Sequence, residues 1–232
     1  MTGSPSPAAS SAISSWRPTA LFSVAGFASG LLPVLLSFAP TYLGFFGFGF
    51  ALYIFFGHGV LFLASMTVAG VIASRLKWMS APRSWSRIVL AAAITVVSYP
   101  AALMGVYVAS FPARWLSHIL GFAWVATAMG GPNSSLVLSA LIASVLVWAA
   151  LSVVQRQWNV KILLRFVVLG AGWAAAFTAV GEPVFSRLEA LLQFDTAPLA
   201  IGILLSVGGM LFGGVCGHAL ATVPPLHESS AK

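Results

Sequence analysis

APLAIGILLSVGGMLFGGVCGHALATV, residues 197–223, runs its whole length without a Lys, Arg, Asp or Glu. Coiled as a helix at 1.5 Å per residue it would extend about 40 Å, enough to cross a hydrocarbon core of about 30 Å with some tilt. A helix apolar on every side has only a protein core or lipid to face. Residues 19–39, 50–74, 88–110, 135–154 and 162–180 follow the same pattern, so six stretches read as transmembrane helices. A further apolar run, LSHILGFAWVATAMG at 116–130, reaches only about 22 Å as a helix. That length suits a short outer helix, interfacial or re-entrant, rather than a crossing.

Composition points the same way. Of 232 residues, 59% are hydrophobic and 6% charged, where a soluble domain carries about 25% charged residues. A water-soluble globule of this composition would expose apolar surface everywhere and aggregate. The expected fold class is therefore all-α: a polytopic integral membrane protein, a bundle of six transmembrane helices with both termini cytoplasmic. The domain layout that follows is a disordered cytoplasmic tail at 1–18, one transmembrane domain at 19–223 and a polar cytoplasmic tail at 224–232.

Charge decides between six and seven crossings. The net charge is +7, from eleven Lys and Arg against four Asp and Glu. The basic residues sit in short loops beside the apolar runs, which marks topology and contact with anionic lipid rather than nucleic acid. With six spans, Arg17, Arg75, Lys77, Arg83, Arg87, Arg156, Lys161, Arg165 and Lys232 share one side and only Arg114 and Arg187 the other. A crossing at 116–130 would flip every later loop and level the two sides at six against five. The positive-inside rule selects six spans and places the nine in the cytoplasm. Aromatic belts fit this layout, with Tyr42, Tyr107 and Trp115 outside and Trp16, Trp78, Trp85 and Trp158 inside.

The first run is longer than the 7–15-residue core of a signal peptide, and Pro40 follows the cleavage-like Ser37-Phe38-Ala39, so it reads as a signal anchor. Before the second span, Gly44, Gly47 and Gly49 weaken any helix, and an irregular outer segment is expected there, with the helix proper starting near Phe50.

Small residues recur at intervals of four: Gly26 and Gly30; Ser135, Ser139 and Ala143; Gly209, Gly213 and Gly217. Such spacing puts them on one helix face, where another backbone can approach closely. The face would serve packing within the bundle, or else partner membrane subunits or a homo-oligomer.

Few residues carry chemistry. His58, in FFGHGV, is the one titratable group well inside a span, about 24 Å from the cytoplasmic end of its helix. An ionisable group there is either functional or a neutral imidazole that ties helices together. In Ser98-Tyr99-Pro100, proline frees the carbonyl four residues back and bends the helix beside a tyrosine hydroxyl. His58, Tyr99 and Pro100 form the candidate intramembrane polar site. His118 and Glu182, with Glu189 and Asp195, fall on the outer side, where they would serve either loop solvation or an outward-facing cation site.

No metal-ligand spacing such as HExxH occurs, and no cofactor is expected. His218 and His227 lie too far from His58 in depth to form a haem pair. The lone Cys216 excludes an intrachain disulfide and reads as a small packing residue.

Enzyme signatures fail residue by residue. Phe27-Ala28-Ser29-Gly30 lacks the first glycine of the serine motif of rhomboid-type intramembrane proteases, and the one aspartate, Asp195, cannot make an aspartyl dyad. Pro132-Asn133 reverses the half-helix motif of aquaporin-type channels and has no second copy. In size and six-span layout the chain is similar to the substrate-binding subunits of energy-coupling vitamin transporters, a likeness of layout and not of motif.

The expectation is a small-solute transporter or substrate-binding membrane subunit of a bacterial inner membrane. The alternatives are a non-catalytic accessory or assembly subunit and, as a minority reading, an intramembrane or lipid-modifying enzyme.

Overall fold

The structure, a computed structural model, describes residues 7–31, 57–78, 87–98, 100–102, 104, 132–192 and 197–222. Among them all regular structure is helical, with no strand. In chain order the elements are α1 (Pro7–Ser29), α2 (His58–Arg75), α3 (Arg87–Ser98, with helical residues 100–102 beyond it), α4 (Pro132–Gln155), α5 (Val160–Ala176), α6 (Glu182–Leu192) and α7 (Ala197–Thr222). A five-residue π turn, Phe177–Gly181, joins α5 to α6.

Four helical stretches are long and apolar enough to cross a membrane: His58–Arg75, Leu136–Gln155, Val160–Leu191 and Leu199–Thr222. Their outward faces carry Val68, Val71, Leu164 and Val168, each more than half exposed, a surface suited to lipid. The run at 116–130, the glycine-rich segment before Phe50, Tyr99 and His118 lie outside the described residues.

α1 reaches back to Pro7, well before residue 19, where the first apolar run begins. Proline fits a first helical turn, where its missing N–H would have had no partner. Pro18, further along, is fully buried, with its carbonyl against Gly217.

Among the described elements the tightest packing is between α1 and α7, which run antiparallel. Gly217 lies on the Pro18 carbonyl, Gly213 on the Phe22 carbonyl, Gly209 on Gly26, and Gly30 on the Ser206 backbone. A Cβ at any of these positions would overlap main-chain atoms of the facing helix. Backbones this close gain dispersion over a wide area and Cα–H···O contacts, the forces available where lipid cancels the hydrophobic drive between helices.

α2 lies antiparallel to α1, with Gly70 near the Phe22 ring and Trp78, just past its end, close to Arg17. The Arg17 guanidinium sits about 6.0 Å from the Trp16 ring and 5.9 Å from Trp78, a cation–π link at the edge of the bundle. α4 and α5 form a hairpin. The buried Ser144 hydroxyl on α4 reaches the Phe166 carbonyl on α5 at 3.0 Å, and Trp148 Nε1 donates to the Asn159 carbonyl in the turn at 3.0 Å. Asn159 also caps α5, its Oδ1 accepting from the Lys161 N–H.

The antiparallel arrangement gathers Arg17, Arg75, Lys77, Arg87, Arg156, Lys161 and Arg165 at one end of the bundle. α2 ends there in a Schellman motif: the Trp78 N–H donates to the Ala73 carbonyl and the Lys77 N–H to that of Ser74, with Lys77 at φ 58°. Arg156, just past the end of α4, has φ 59°. Glycine is the usual residue in that conformation. A cation instead sets positive charge against the negative end of the helix dipole.

Placing a side chain at the α1–α7 contact is expected to undo the fold. Gly213→Val should lose more than ~3 kcal/mol of unfolding free energy in detergent, since backbone and not a movable side chain blocks the new atoms. Gly172→Ala, which meets open space, should stay within ~0.5 kcal/mol of wild type. Equal stability of the two variants in a thermal or SDS titration would contradict this packing.

Candidate intramembrane site

Where α2, α3, α4, α5 and α7 converge they leave a cavity of about 140 Å³. The reason is local: small residues face inward on several helices at once. Gly59 on α2, Ser139, Ala140 and Ala143 on α4, Gly170 and Ala174 on α5, and Gly208 and Gly209 on α7 all line it. Phe62, Trp173 and Phe212 close the remaining sides with rings. The space would hold about four or five waters or one small organic molecule.

His58, at the first position of α2, is the one titratable residue among the lining residues described. Its imidazole hydrogen-bonds the backbone of Ser29 in α1, and its ring lies 6.4 Å from that of Phe62. The flanking glycine is what allows the site to close. A Cβ on Gly59 would come within 2.9 Å of the Val96 carbonyl oxygen on α3. Val96 stands four residues before Pro100, so its carbonyl is the acceptor that proline leaves without a helical donor. The proline and the glycine therefore belong to one contact, in which α2 approaches the Val96 carbonyl with a bare Cα.

Thr95 and Ser98 of α3 add hydroxyls to the cavity wall. Each donates back along its own helix, Thr95 to the Ala91 carbonyl at 2.8 Å and Ser98 to the Thr95 carbonyl at 2.6 Å. With their protons committed, the oxygens present lone pairs to the cavity. The Trp173 N–H is committed too, to the Leu204 carbonyl at 3.0 Å. The polar wall thus offers acceptor oxygens on α3, an imidazole on α2 and the Ser139 hydroxyl on α4, while the rest is largely apolar.

Of the residues singled out in the sequence, the structure brings His58, Ser139, Ala143 and Gly209 to this one cavity. Pro100 sits on α3 just beyond Ser98, half-buried. Gly26, Gly30, Gly213 and Gly217 are spent on the α1–α7 contact. Ser135 lies in the first turn of α4. Glu182 opens α6 beyond the π turn, whereas the cavity is lined by residues 170–174 of α5. Sequence reading passed over Thr95, Ser98 as a wall residue, and Trp173. The signal was present: Thr95 and Ser98 stand three apart in an apolar run and so share a helix face with each other.

Comparison with known proteins adds no relative: no family model matches the chain, and no curated protein or solved structure matches it.

Gly59→Ala should separate α2 from α3 by a few tenths of an ångström or more and cost ~1–3 kcal/mol of stability. Restoring a donor through Pro100→Ala should relieve part of that cost, because the Val96 carbonyl then regains its helical bond. A double-mutant cycle in detergent measures the coupling, and strict additivity would refute the link between the two residues.

Proposed function

We propose that this chain is a small-solute transporter or the substrate-binding membrane subunit of one, crossing a bacterial inner membrane six times with both termini in the cytoplasm. The observation that carries the reading is the cavity that holds His58 between α2, α3, α4, α5 and α7. A buried imidazole and the hydroxyls of Thr95, Ser98 and Ser139 in an otherwise apolar wall suit a small, mostly apolar solute with one or two hydrogen-bonding groups. Intramembrane polar groups are costly and commonly mark solute pathways. Small-residue helix faces around such a site let the wall be built from backbone, leaving volume for the solute.

The orientation rests on the basic end of the bundle. Seven Lys and Arg gathered around the ends of α2, α4 and α5 and beside α1 and α3 are the pattern retained on the cytoplasmic side. Six crossings follow if the first and third apolar runs also span, as their length in the sequence permits. The alternative, a non-catalytic accessory subunit, relied on glycine faces free to meet partner chains. Those on α1 and α7 are occupied by each other, which favours the solute-binding reading. A catalytic role is the least favoured reading, since His58 shares the cavity with no acid or thiol among the described residues.

Cysteine accessibility tests the proposal. In a Cys216→Ala background, itself a change at a buried position, His58→Cys in intact cells should react with a membrane-impermeant maleimide, because thiolate forms only where water reaches it. No reaction at position 58, with an outer-loop control cysteine labelled in parallel, would overturn the solute-binding reading and favour the accessory role.

A further inference from the structure

A second groove lies on another side of α7, where that helix meets α1 and α5 near the basic end of the bundle. Its volume is about 470 Å³, and Ser23, Arg165, Leu169, Met210, Gly214 and His218 line it. The lining is graded. Arg165 on α5 and His218 on α7 stand toward the basic end. Leu169 is one turn further along α5, and Met210 is two turns from His218 along the antiparallel α7. Gly214 sets the floor low, with the Ser23 Oγ against it from α1.

Arg165 interrupts the apolar run ILLRFVVLG one turn beyond Lys161. A guanidinium in such a run needs an anion or water, and the described residues supply no anion here. Among the described residues no carboxylate lines the groove. The two acidic residues that the described helices contain, Glu182 and Glu189, belong to α6, past the far end of α5. A basic mouth above an apolar trough, facing the lipid on the side that carries most of the positive charge, matches an amphiphile of opposite charge.

We infer that this groove binds an anionic phospholipid, its phosphate held by Arg165 and His218 with the Ser23 hydroxyl nearby, and its acyl chain lying over Leu169 and Met210. Arg165 supplies a forked donor for phosphate oxygens, and His218 a ring N–H in either protonation state. The inference rests on the transmembrane reading but not on the solute cavity, which uses a different set of α7 residues. Failure of either one leaves the other standing.

Native mass spectrometry of the full chain in detergent tests it, titrating phosphatidylglycerol against phosphatidylcholine of the same acyl composition. Phosphatidylglycerol should be retained in preference, and Arg165→Gln should weaken its retention about fivefold or more. Lys161→Gln, at the same end but outside the groove, should leave retention unchanged. Leu169→Trp fills the apolar end without altering charge and should weaken phosphatidylglycerol binding as well, which gives a reading even if Arg165→Gln fails to fold. Equal retention of the two lipids, or undiminished phosphatidylglycerol binding in Leu169→Trp or in a folded Arg165→Gln, would overturn the inference. So would displacement of the lipid by equimolar glycerol 3-phosphate, which would make the groove a site for a soluble phosphate.

Discussion

The contact between α1 and α7 is the constraint on which the other helices depend. In lipid, apolar side chains gain little by meeting one another, so two helices associate firmly only where their backbones come close. Gly26, Gly30, Gly209, Gly213 and Gly217 supply that closeness over nearly four turns. Once α1 and α7 lie against each other, the remaining partners are set by what projects from their flanks. Phe22, buried at the seam, turns toward Gly70 of α2. Phe212 meets Phe166 edge to face at 5.3 Å and so draws in α5. Ser144, fully buried, then joins α4 to α5.

The cavity is a consequence of this economy. Four helices bring small residues to one place, Gly59, Ala143, Gly170 and Gly209 among them, and the rings of Phe62, Trp173 and Phe212 border the space without filling it. Gly209 shows the overlap directly: its backbone abuts Gly26 while the same residue borders the cavity. The polar groups follow the same logic. Hydrocarbon offers no partners, so Thr95, Ser98 and Trp173 satisfy their protons on backbone carbonyls, and what they present to the cavity is already internally bonded. Such a lining is preorganised.

The fold class was legible in the sequence because uninterrupted apolarity is a one-dimensional property: α7, Ala197–Thr222, nearly coincides with the stretch 197–223, and α4, Pro132–Gln155, with 135–154. Helix faces were legible too, since spacing of four is written along the chain. Which face meets which was not. Nothing in the order of residues ties Gly217 to Pro18 or Gly59 to Val96, because those pairings depend on the antiparallel register of helices far apart in sequence. The same gap hid the cavity. His58 and the Pro100 kink each stood out alone, but the carbonyl that connects them belongs to Val96, a residue without any distinguishing chemistry. α1 runs from Pro7, a residue suited to a first helical turn, through Ser- and Ala-rich sequence and past an interior Pro18.

The helical stretch Val160–Leu191 changes character along its length without a loop. Its 32 residues would extend about 48 Å, far more than one hydrocarbon thickness. Pro183 lacks the N–H that the Ala179 carbonyl would receive, and the helix answers by widening into the π turn Phe177–Gly181 immediately before it. The Trp173, Phe177 and Phe185 rings, spaced 5.8 and 5.9 Å apart, carry packing across the irregular turn. On one side of it α5 is apolar from Phe166 to Ala176. On the other, α6 carries exposed Arg187 and Glu189 and leaves Leu191 78% exposed. A break in backbone bonding, a change from apolar to charged surface and an aromatic cluster coincide at one level. The continuous helix therefore divides there into an apolar segment and an amphipathic, charged one, the contrast that a boundary between hydrocarbon and headgroups would call for.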